Sequence, residues 1–264
     1  MHILLPPSEG KTVPTSGRPL DLSTLTLPEL TTTREQVLHS LIRLAQGPAD
    51  TARAVLGISV RQVDELARDA RLDSEPCAPA RAVYSGVLYE ALDLASLPTA
   101  ARRRADRMLL IASGLFGMVS PADRIPAYRL SGDTDLPGVG SLGTAWRGPV
   151  AEALGETLRR GLIVDLRSSA YATLFVPDPS MTERTVTMRV LQEKRVGRRT
   201  ERVVVSHHNK STKGRLVRAL LSDGTIPKSV TQLLDHCTNL GFTAELGATS
   251  RTGVQSVDIV VAHI

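Results

Sequence analysis

Charged, hydroxyl and phenol side chains follow the ends of two apolar segments of this chain, and such side chains bind anions and transfer protons. Glu9 and Lys11 come after the apolar segment His2–Leu5, and a second polar group lies at the end of Leu162–Leu166. In open α/β sheets, ligands bind at the carboxyl ends of the strands, so we expect both groups to line one cleft. For an enzyme acting there, the candidate catalytic residues are Glu9, Asp165, Ser168 and Tyr171. Glu9 or Asp165 would serve as the base, and the alternative role of Ser168 is to cap the following helix.

Two cations near these groups are candidates for holding an anion. Lys11 would meet the anion as a point charge, whereas Arg129 can grip a phosphate or carboxylate through two parallel hydrogen bonds. A structural alternative is that Asp123 is the buried partner of Arg129. The pattern therefore predicts an anion site and leaves the role of Arg129 open.

The segment from His207 to Arg218 contains the best anion site that the sequence offers. It is predicted to pass from a strand into a basic helix, with Ser211 or Thr212 as the helix cap. The N-terminus of a helix favours anions because its backbone N–H groups point outward. The candidate anion-binding or DNA-binding side chains of this segment are Lys210, Lys213, Arg215 and Arg218.

Two short glycine-containing segments are candidates for a helix-hairpin-helix element, in which a turn exposes backbone N–H groups to DNA phosphates. Leu136–Gly140 has the richer glycine pattern, but the residues before it do not favour a helix. Gly57 and Ile58 lie between two predicted helices and are preferred on context, although only one glycine is present. The structural alternative for this second segment is an ordinary helical hairpin.

Several chemistries lack their sequence patterns. Glu9-Gly10-Lys11-Thr12 resembles the end of a phosphate-binding loop, but Leu5 stands where that loop needs a glycine. Ser168 is not part of the G-x-S-x-G pattern of serine hydrolases. The two cysteines and the His207-His208 pair have no metal-ligand spacing, so neither a metal nor a cofactor is predicted.

Composition limits the class of protein. The chain has 264 residues, 42% of them hydrophobic, which is enough to bury a core. A net charge of +5, concentrated in basic clusters, favours phosphate-rich partners, although such clusters are also common on solvated surfaces. No apolar run approaches 18 residues and the N-terminal apolar segment is too short for a signal peptide, so we expect a cytoplasmic protein without a membrane span.

Periodicity predicts a mixed α/β fold with one domain over residues 1–264. Short apolar runs indicate buried strands at 2–5 and 162–166, and alternation predicts a hairpin of 185–192 with 202–207. Residues 6–33 are predicted to be irregular, and 81–89 to begin extended and turn helical near Ser85. The predicted helices cover 34–46, 50–56, 60–70, 145–160, 213–221 and 229–240. Residues 100–111 are predicted to form a basic helix or a helix that passes into a strand, and the last strands are 242–246 and 256–262.

An ordered set of short motifs resembles the YaaA-like family of peroxide stress proteins, also called DUF328 or UPF0246. The motifs are Pro7-Ser8-Glu9-Gly10-Lys11, Tyr84-Ser85-Gly86-x-x-Tyr89, Ser113-Gly114-Leu115-Phe116-Gly117, Tyr128-Arg129-Leu130, Trp146, Asp165-Leu166-Arg167-Ser168-x-x-Tyr171 and Lys210-x-x-Lys213-Gly214-Arg215. The resemblance implies one mixed α/β domain with a positively charged cleft and a helix-hairpin-helix-like element at Gly57 and Ile58. It also implies roles in peroxide stress, in limiting free iron and in DNA binding, with Lys11, Arg129, Lys210, Lys213 and Arg215 as the positive residues.

Three functional hypotheses follow. The first is a monomer that binds DNA phosphates without reading bases, because an aromatic content of 3% argues against stacking as the main force. The second is an enzyme acting on a nucleotide, nucleoside or other anionic small molecule, since a phosphate backbone does not require the carboxylates and tyrosine of the cleft. The third, direct iron binding, is the weakest because no ligand spacing supports it. The Arg-rich segment 194–202 and the Pro/Thr-rich segment 13–33 depart from the family pattern and leave open a specialised member.

Overall fold

A mixed eight-stranded sheet forms the centre of the computed structural model, which describes residues 1–196, 199–203 and 206–261. The strands are β1 His2–Leu5, β2 Ala78–Pro79, β3 Leu109–Ser113, β4 Gly117–Val119, β5 Arg124–Ile125, β6 Asp135–Leu136, β7 Gly140–Ser141, β8 Ile163–Asp165, β9 Thr185–Val196, β10 Arg199–Val203, β11 Thr243–Thr249 and β12 Gln255–Val261. The main sheet has the order β11-β12-β9-β8-β1-β3-β4, and β10 pairs with the far end of β9. The mixed α/β class predicted from the periodicity is confirmed.

Helices surround this sheet. They are α1 Thr31–Gln46, α2 Ala49–Leu56, α3 Val63–Asp69, α4 Ala80–Val83, α5 Val87–Leu92, α6 Thr99–Met108, α7 Leu142–Thr157, α8 Ser169–Ala172, α9 Pro179–Thr182, α10 Ser206–Asp223 and α11 Val230–Asn239. The longest of them, α10, contacts α5, α6 and β9. Within the described ranges, no helix is long and apolar enough to cross a membrane.

The middle of the sheet consists of five parallel strands, β12, β9, β8, β1 and β3. Strands of this kind are covered on both faces, which explains why β1 and β3 are continuous apolar runs. Ile3, Leu4 and Leu5 are fully buried, and Leu4 lies in register between Leu110 and Asp165. One connected apolar core extends from Ile3 to Ile259.

The order of the parallel strands reverses beside β1. Numbered along the chain, the five parallel strands have the spatial order 2-1-3-4-5, since β3 lies on one side of β1 and β8 on the other. The connections that leave β1 and β8 therefore diverge at their carboxyl ends, and such a switch point opens a crevice in α/β sheets.

The irregular segment that precedes α1 is fixed to the core by a buried arginine. Arg34 is fully buried, and its guanidinium donates hydrogen bonds to the carbonyl oxygens of Thr26, Leu27, Phe116 and Met118 at 2.7–3.1 Å. The predicted irregularity is confirmed for residues 6–30, apart from the 3-10 turns Leu22–Thr24 and Pro28–Leu30, whereas residues 31–33 already belong to α1.

The boundaries of several elements differ from the predictions. Residues 80–83 are helical rather than extended, because the residues after Pro79 form α4 before the turn at Gly86. A hairpin of β9 with β10 is present as predicted, but its second strand covers Arg199–Val203 rather than 202–207. Residues 197–198 of the predicted turn, and 204–205 and Ala262 of the predicted strands, lie outside the described residues. Leu136 and Gly140 pair with each other in the small β6–β7 hairpin, so this segment does not connect two helices.

The basic helix begins earlier than its composition indicated. Because α10 starts at Ser206, His207 and His208 lie in its first turn and not on a strand. Ser211 and Thr212 are helix-interior residues, and Thr212 is buried, so neither caps the N-terminus. The predicted cap was wrong because the polar run before Lys213 is itself helical.

Candidate functional site

A cleft opens at the switch point of the sheet. Its volume is about 530 Å³, within the range of ligand sites of small molecules. The loops that leave β1 and β8 form two walls, and the start of α5 and one face of α10 form the others. Its lining consists of Pro6, Pro7, Ser8, Glu9, Gly10, Gly86, Val87, Leu88, Tyr89, Leu166, Ser168, Tyr171, Asn209, Lys210 and Lys213.

One turn of α10 contributes the cationic wall of the cleft. Lys210 is exposed, whereas Lys213 is half-buried and donates a hydrogen bond from Nζ to the carbonyl oxygen of Leu166 at 3.2 Å. Burial lowers the pKa of Lys213, and the nearby Asp165 charge partly opposes that shift. Residues three apart lie on the same face of a helix, so both amines face the cleft.

A glycine allows α10 to approach the cleft this closely. A Cβ atom on Gly214 would lie 2.3 Å from the carbonyl oxygen of Leu88 and 2.8 Å from the Cβ atom of Ala91. Since real Cβ atoms do not approach backbone oxygen so closely, any larger residue must push α10 away from α5. Gly214 therefore sets the distance between the lysine wall and the start of α5.

The loop after β8 brings Ser168 and Tyr171 to the cleft, as predicted. Ser168 is the exposed residue before α8, although its side chain makes no capping hydrogen bond. Tyr171 packs against Gly132, where a Cβ atom would lie 2.7 Å from the ring. Burial raises the pKa of Tyr171, so it is a neutral phenol near neutral pH.

Asp165 has a different environment from the other candidates. Both of its carboxylate oxygens accept hydrogen bonds from the Arg167 guanidinium, at 3.0 and 2.7 Å, and the pair is buried. Arg167 also donates to the carbonyl oxygens of Tyr171 and Phe175. The position of Asp165 therefore favours shaping the loop after β8 over acting as a base.

Arg129 and Lys11 lie in a second polar cluster next to the cleft. Arg129 is near the carboxylates of Glu9, at 3.5 Å, and Glu65, at 3.7 Å, and its backbone N–H donates to Asp69 at 3.0 Å. Asp123 instead accepts hydrogen bonds from Thr26 and from the backbone of Ser120. Asp123 is thus not the partner of Arg129, because its carboxylate contacts Thr26 of the segment 21–30 and not the cluster.

Aromatic rings surround the Lys11 amine. Its Nζ atom lies 4.3 Å from the ring centroid of Tyr128 and 5.7 Å from that of Tyr84, and donates to the carbonyl oxygen of Ser8 at 2.8 Å. The two phenol oxygens are 2.9 Å apart, and that of Tyr128 is 2.7 Å from the Ser113 hydroxyl. The Tyr89 hydroxyl donates to Pro6, so all four tyrosines of the chain lie around the cleft or this cluster.

The cluster holds two groups that titrate near neutrality. Burial, followed by the positive charge of Arg129, lowers the pKa of Lys11 to about 8. Burial raises the pKa of Asp69 to about 7, against the opposing effects of the Arg129 N–H and the Lys11 charge. Asp69 is fully buried, and its Oδ2 atom has no hydrogen-bond partner among the described residues. Groups with such shifted pKa values are concentrated at functional sites.

Two of the predicted anion-binding residues lie apart from the cleft. Arg218 donates to the carbonyl oxygens of Leu92 and Asp93 and to the Ser96 hydroxyl, so its guanidinium holds the end of α5. Arg215 is exposed and its guanidinium contacts Thr212 at 3.4 Å. Neither side chain is among the residues that line the cleft.

The hairpin at Gly57 and Ile58 has the left-handed glycine that a tight turn requires, with φ of 62°. The N–H groups of Gly57 and Ile58 both donate to the carbonyl oxygen of Arg53, and that of Ser59 donates to Gln62. These three donors are therefore used inside the hairpin. Their role in DNA binding stays a prediction.

Sequence reasoning missed the residues that complete the second cluster, namely Glu65, Asp69, Tyr84 and Tyr128. Asp69 ends an ordinary charged helix, 60 positions from its partner Arg129 in the chain, so no local pattern distinguishes it. The two tyrosines stand in the motifs Tyr84-Ser85-Gly86 and Tyr128-Arg129-Leu130, but no role was assigned to either ring. The clustering of four tyrosines near the glycine motifs, in a chain with few aromatics, was the available signal.

The chain is similar to proteins of one family along most of its length. The sequence profile of a family described as "Peroxide stress protein YaaA" matches residues 1–245. A UPF0246 protein of Streptomyces coelicolor is 46% identical over 265 residues, covering 100% of both chains. A UPF0246 protein of Corynebacterium efficiens is 41% identical over 250 residues, 93% of this chain and 95% of the relative. One from a Marinomonas species is 27% identical over 225 residues, 82% and 83% of the two chains.

Proposed function

We propose that this chain, which belongs to the peroxide stress protein YaaA family, acts by binding a phosphate-bearing small molecule in the switch-point cleft. The observation that supports the proposal best is the position of the cleft, where the loops after β1 and β8 diverge and α10 adds Lys210 and Lys213. Crevices at such points are the usual ligand sites of open α/β sheets.

The chemistry of the walls suits a nucleotide or nucleoside phosphate. Lys210 and Lys213 supply positive charge for the phosphate, while Pro6, Leu88 and Tyr89 supply apolar surface for a sugar or base. The carboxamide oxygen of Asn209 is buried without a partner among the described residues, and is an acceptor for a hydroxyl group of the ligand. Small-molecule sites typically combine an apolar lining with a few polar groups of this kind.

The cleft also has groups for catalysis on that ligand. Glu9 is 79% exposed at the mouth, in contrast to the locked Asp165, and is therefore the preferred general base of the predicted pair. Tyr171 and Ser168 supply hydroxyl groups on the opposite wall. The proposed function therefore includes an enzymatic reaction of the bound ligand, with Glu9 as the general base.

Calorimetric titration with a panel of nucleoside mono-, di- and triphosphates tests the proposal. Removing one charge-assisted hydrogen bond costs about 1.5–3 kcal/mol, so we expect Lys210→Ala or Lys213→Met to weaken binding at least tenfold. Lys228→Ala, at an exposed lysine outside the cleft lining, is the matched control and should bind like the wild type. If no ligand of the panel binds, or if the cleft variants bind as tightly as the control, this function is wrong.

DNA binding that limits iron and peroxide damage in the cytoplasm is the second proposal, favoured by the exposed Lys210 and Arg215 on one helix. Phosphate contacts make such binding strongly salt-dependent. Fluorescence anisotropy with a labelled duplex should show binding that weakens with salt and is lost in Lys210→Ala/Arg215→Ala but kept in Lys228→Ala. Binding that ignores both salt and the double variant contradicts it.

A further inference from the structure

We propose that Lys11 is an amine nucleophile that condenses with a carbonyl group of the ligand held in the cleft. This inference rests on the proposed function, because it assigns a chemistry and a substrate class to the same site. The substrate class is a carbonyl compound with a phosphate or carboxylate group, whose anionic end lies toward Lys210 and Lys213.

The contacts of the Lys11 side chain distinguish it from a surface lysine. Its Nζ atom has two aromatic rings within 6 Å and, among the residues that the structure describes, donates only to the carbonyl oxygens of Ser8 and Glu9. Within the described ranges, no carboxylate oxygen lies within the 4.0 Å of an ion pair with it. Desolvation and a neighbouring cation, here Arg129, are the two conditions that activate a lysine for imine formation.

The distribution of lysines in this chain also supports a reactive amine at Lys11. Only five of its 32 cationic residues are lysines, and three of those, Lys11, Lys210 and Lys213, lie at the cleft or the adjoining cluster. A guanidinium stays charged at any pH that a protein tolerates, whereas a desolvated amine can lose its proton and react. Elsewhere the chain uses mostly arginine for positive charge, and a buried amine at position 11 has access to a neutral form that a guanidinium lacks.

The neighbouring Asp69 is the group that would hold and donate a proton in this reaction. It is fully buried, Oδ1 accepts the Arg129 N–H at 3.0 Å, and Oδ2 has no partner among the described residues. Lys11 and Asp69 are close enough that each charge shifts the pKa of the other. The groups that face Lys11 are thus Arg129, Glu65, Asp69, Glu9 and the phenols of Tyr84 and Tyr128.

The step conserves atoms and electrons. The neutral amine of Lys11 attacks the carbonyl carbon, a C–N bond forms, and the carbonyl π electrons move to the oxygen. That oxygen takes a proton from the Asp69 carboxyl group to give a carbinolamine. After further proton transfer, the hydroxyl leaves as water and the nitrogen lone pair forms the imine. No oxidant, reductant or metal takes part.

Reductive trapping with the full chain tests the inference. The protein is incubated with glyoxylate or pyridoxal 5′-phosphate, two aldehydes that carry an anionic group, and reduced with cyanoborohydride, and the labelled lysines are identified by peptide mass spectrometry. We expect Lys11 to be labelled at least tenfold faster than Lys228, with a rate that rises through a pKa of about 8. Lys11→Arg should abolish the fast adduct while the circular dichroism spectrum stays unchanged.

Two further variants separate this inference from the proposed function. Lys210→Ala should lower labelling of Lys11 by the anionic aldehydes but not by the neutral acetaldehyde. Asp69→Asn removes a negative charge that raises the Lys11 pKa, so the pH profile of labelling should shift to lower pH. Labelling of Lys11 no faster than Lys228, or a fast adduct at Lys213 instead, overturns the inference, and normal nucleotide binding beside that result leaves the proposed function standing.

Discussion

The cleft and the Gly57–Ile58 hairpin were both predicted to meet phosphate groups, yet they use their polar atoms differently. In the hairpin, the N–H groups of Gly57, Ile58 and Ser59 bond to Arg53 and Gln62 within the same short segment. At the cleft, Lys210 is exposed, and Lys213 has one hydrogen bond, of 3.2 Å, to the described part of the chain. A site for a ligand needs donors that the protein itself does not satisfy, and by that criterion the cleft is the better candidate.

The glycines of the two regions differ in the same way. Gly214 is needed for close packing, because a Cβ atom there would meet backbone oxygen at 2.3 Å. Gly57 is needed only for its φ of 62°, since the structure describes no heavy atom within 4 Å of a Cβ atom built there. One glycine positions a site and the other shapes a turn.

The largest expected effect comes from Gly214→Val. Overpacking of a tight contact costs about 1–3 kcal/mol or more, and the displaced α10 takes Lys210 and Lys213 away from the cleft. Chemical denaturation should show the lost stability, and calorimetry a loss of nucleotide binding of at least tenfold. Wild-type affinity in a folded variant would show that the spacing of α10 and α5 does not set the site.

The second prediction concerns the pH dependence of stability. Asp69 binds a proton more tightly in the folded state, with a pKa of about 7, than in the unfolded state. Its contribution to the free energy of unfolding therefore falls as the pH rises from about 4 to 7. Lys11 binds its proton less tightly in the folded state, with a pKa of about 8. The free energy of unfolding therefore rises again between about pH 8 and pH 10.5, where the folded protein has lost this proton and the unfolded chain still holds it. The two groups together should give a minimum of stability between pH 7 and 8.

Two substitutions test which residue causes the acid arm and which the alkaline arm of the curve of stability against pH. Asp69→Asn should flatten the acid arm and raise the free energy of unfolding at pH 7.5 by about 1–3 kcal/mol. Lys11→Met should flatten the alkaline arm and leave the acid arm in place. Urea denaturation from pH 4 to 10 measures both, and a curve that neither substitution changes would contradict the assigned burial of this pair.

Gly57→Ala should have a smaller effect, confined to stability. Placing a residue with a side chain in the left-handed region costs about 1–2 kcal/mol, without a steric clash to displace neighbouring elements. Nucleotide affinity should equal that of the wild type, in contrast to Gly214→Val. Loss of DNA binding in this variant alone would transfer the DNA interface from the cleft to the hairpin.

The smallest effect is expected at the two cysteines. Burial raises the pKa of Cys77 and of Cys237 to about 11, so both are protonated thiols and poor nucleophiles toward peroxide. Intact-mass spectrometry after brief peroxide treatment should show no oxidised cysteine in the native protein, with the urea-denatured protein as the control. Rapid native oxidation would place the peroxide response at a thiol and not at the cleft.

Much of the frame of the site could be predicted from the chain. Apolar runs marked β1 and β8, and the rule that ligands bind at the carboxyl ends of parallel strands placed Glu9, Ser168 and Tyr171 together. That Lys210 and Lys213 of α10 line the same cleft followed only from the structure. The predicted start of α10 was wrong because polar residues such as Asn209 and Ser211 are weak helix formers, and tertiary packing overrides this low propensity. The small β6–β7 hairpin depends on glycines whose turn geometry was not distinguished from that of a helical hairpin.

The sequence by itself determined the buried strands β1 and β8, the mixed α/β class, the family and the chemical types of side chain at the strand ends, because these depend on local periodicity and short motifs. Only the tertiary structure decided which charged groups remain available. Arg167 occupies both oxygens of Asp165, and Arg218 is used by the end of α5. Burial shifts the pKa values of Lys11 and Asp69 toward neutrality, and the charge of Arg129, which lies 60 or more positions from both in the chain, lowers the pKa of Lys11 further. The physical reason is that desolvation and Coulomb interactions act through space, so the protonation state of a residue follows from its neighbours in the fold.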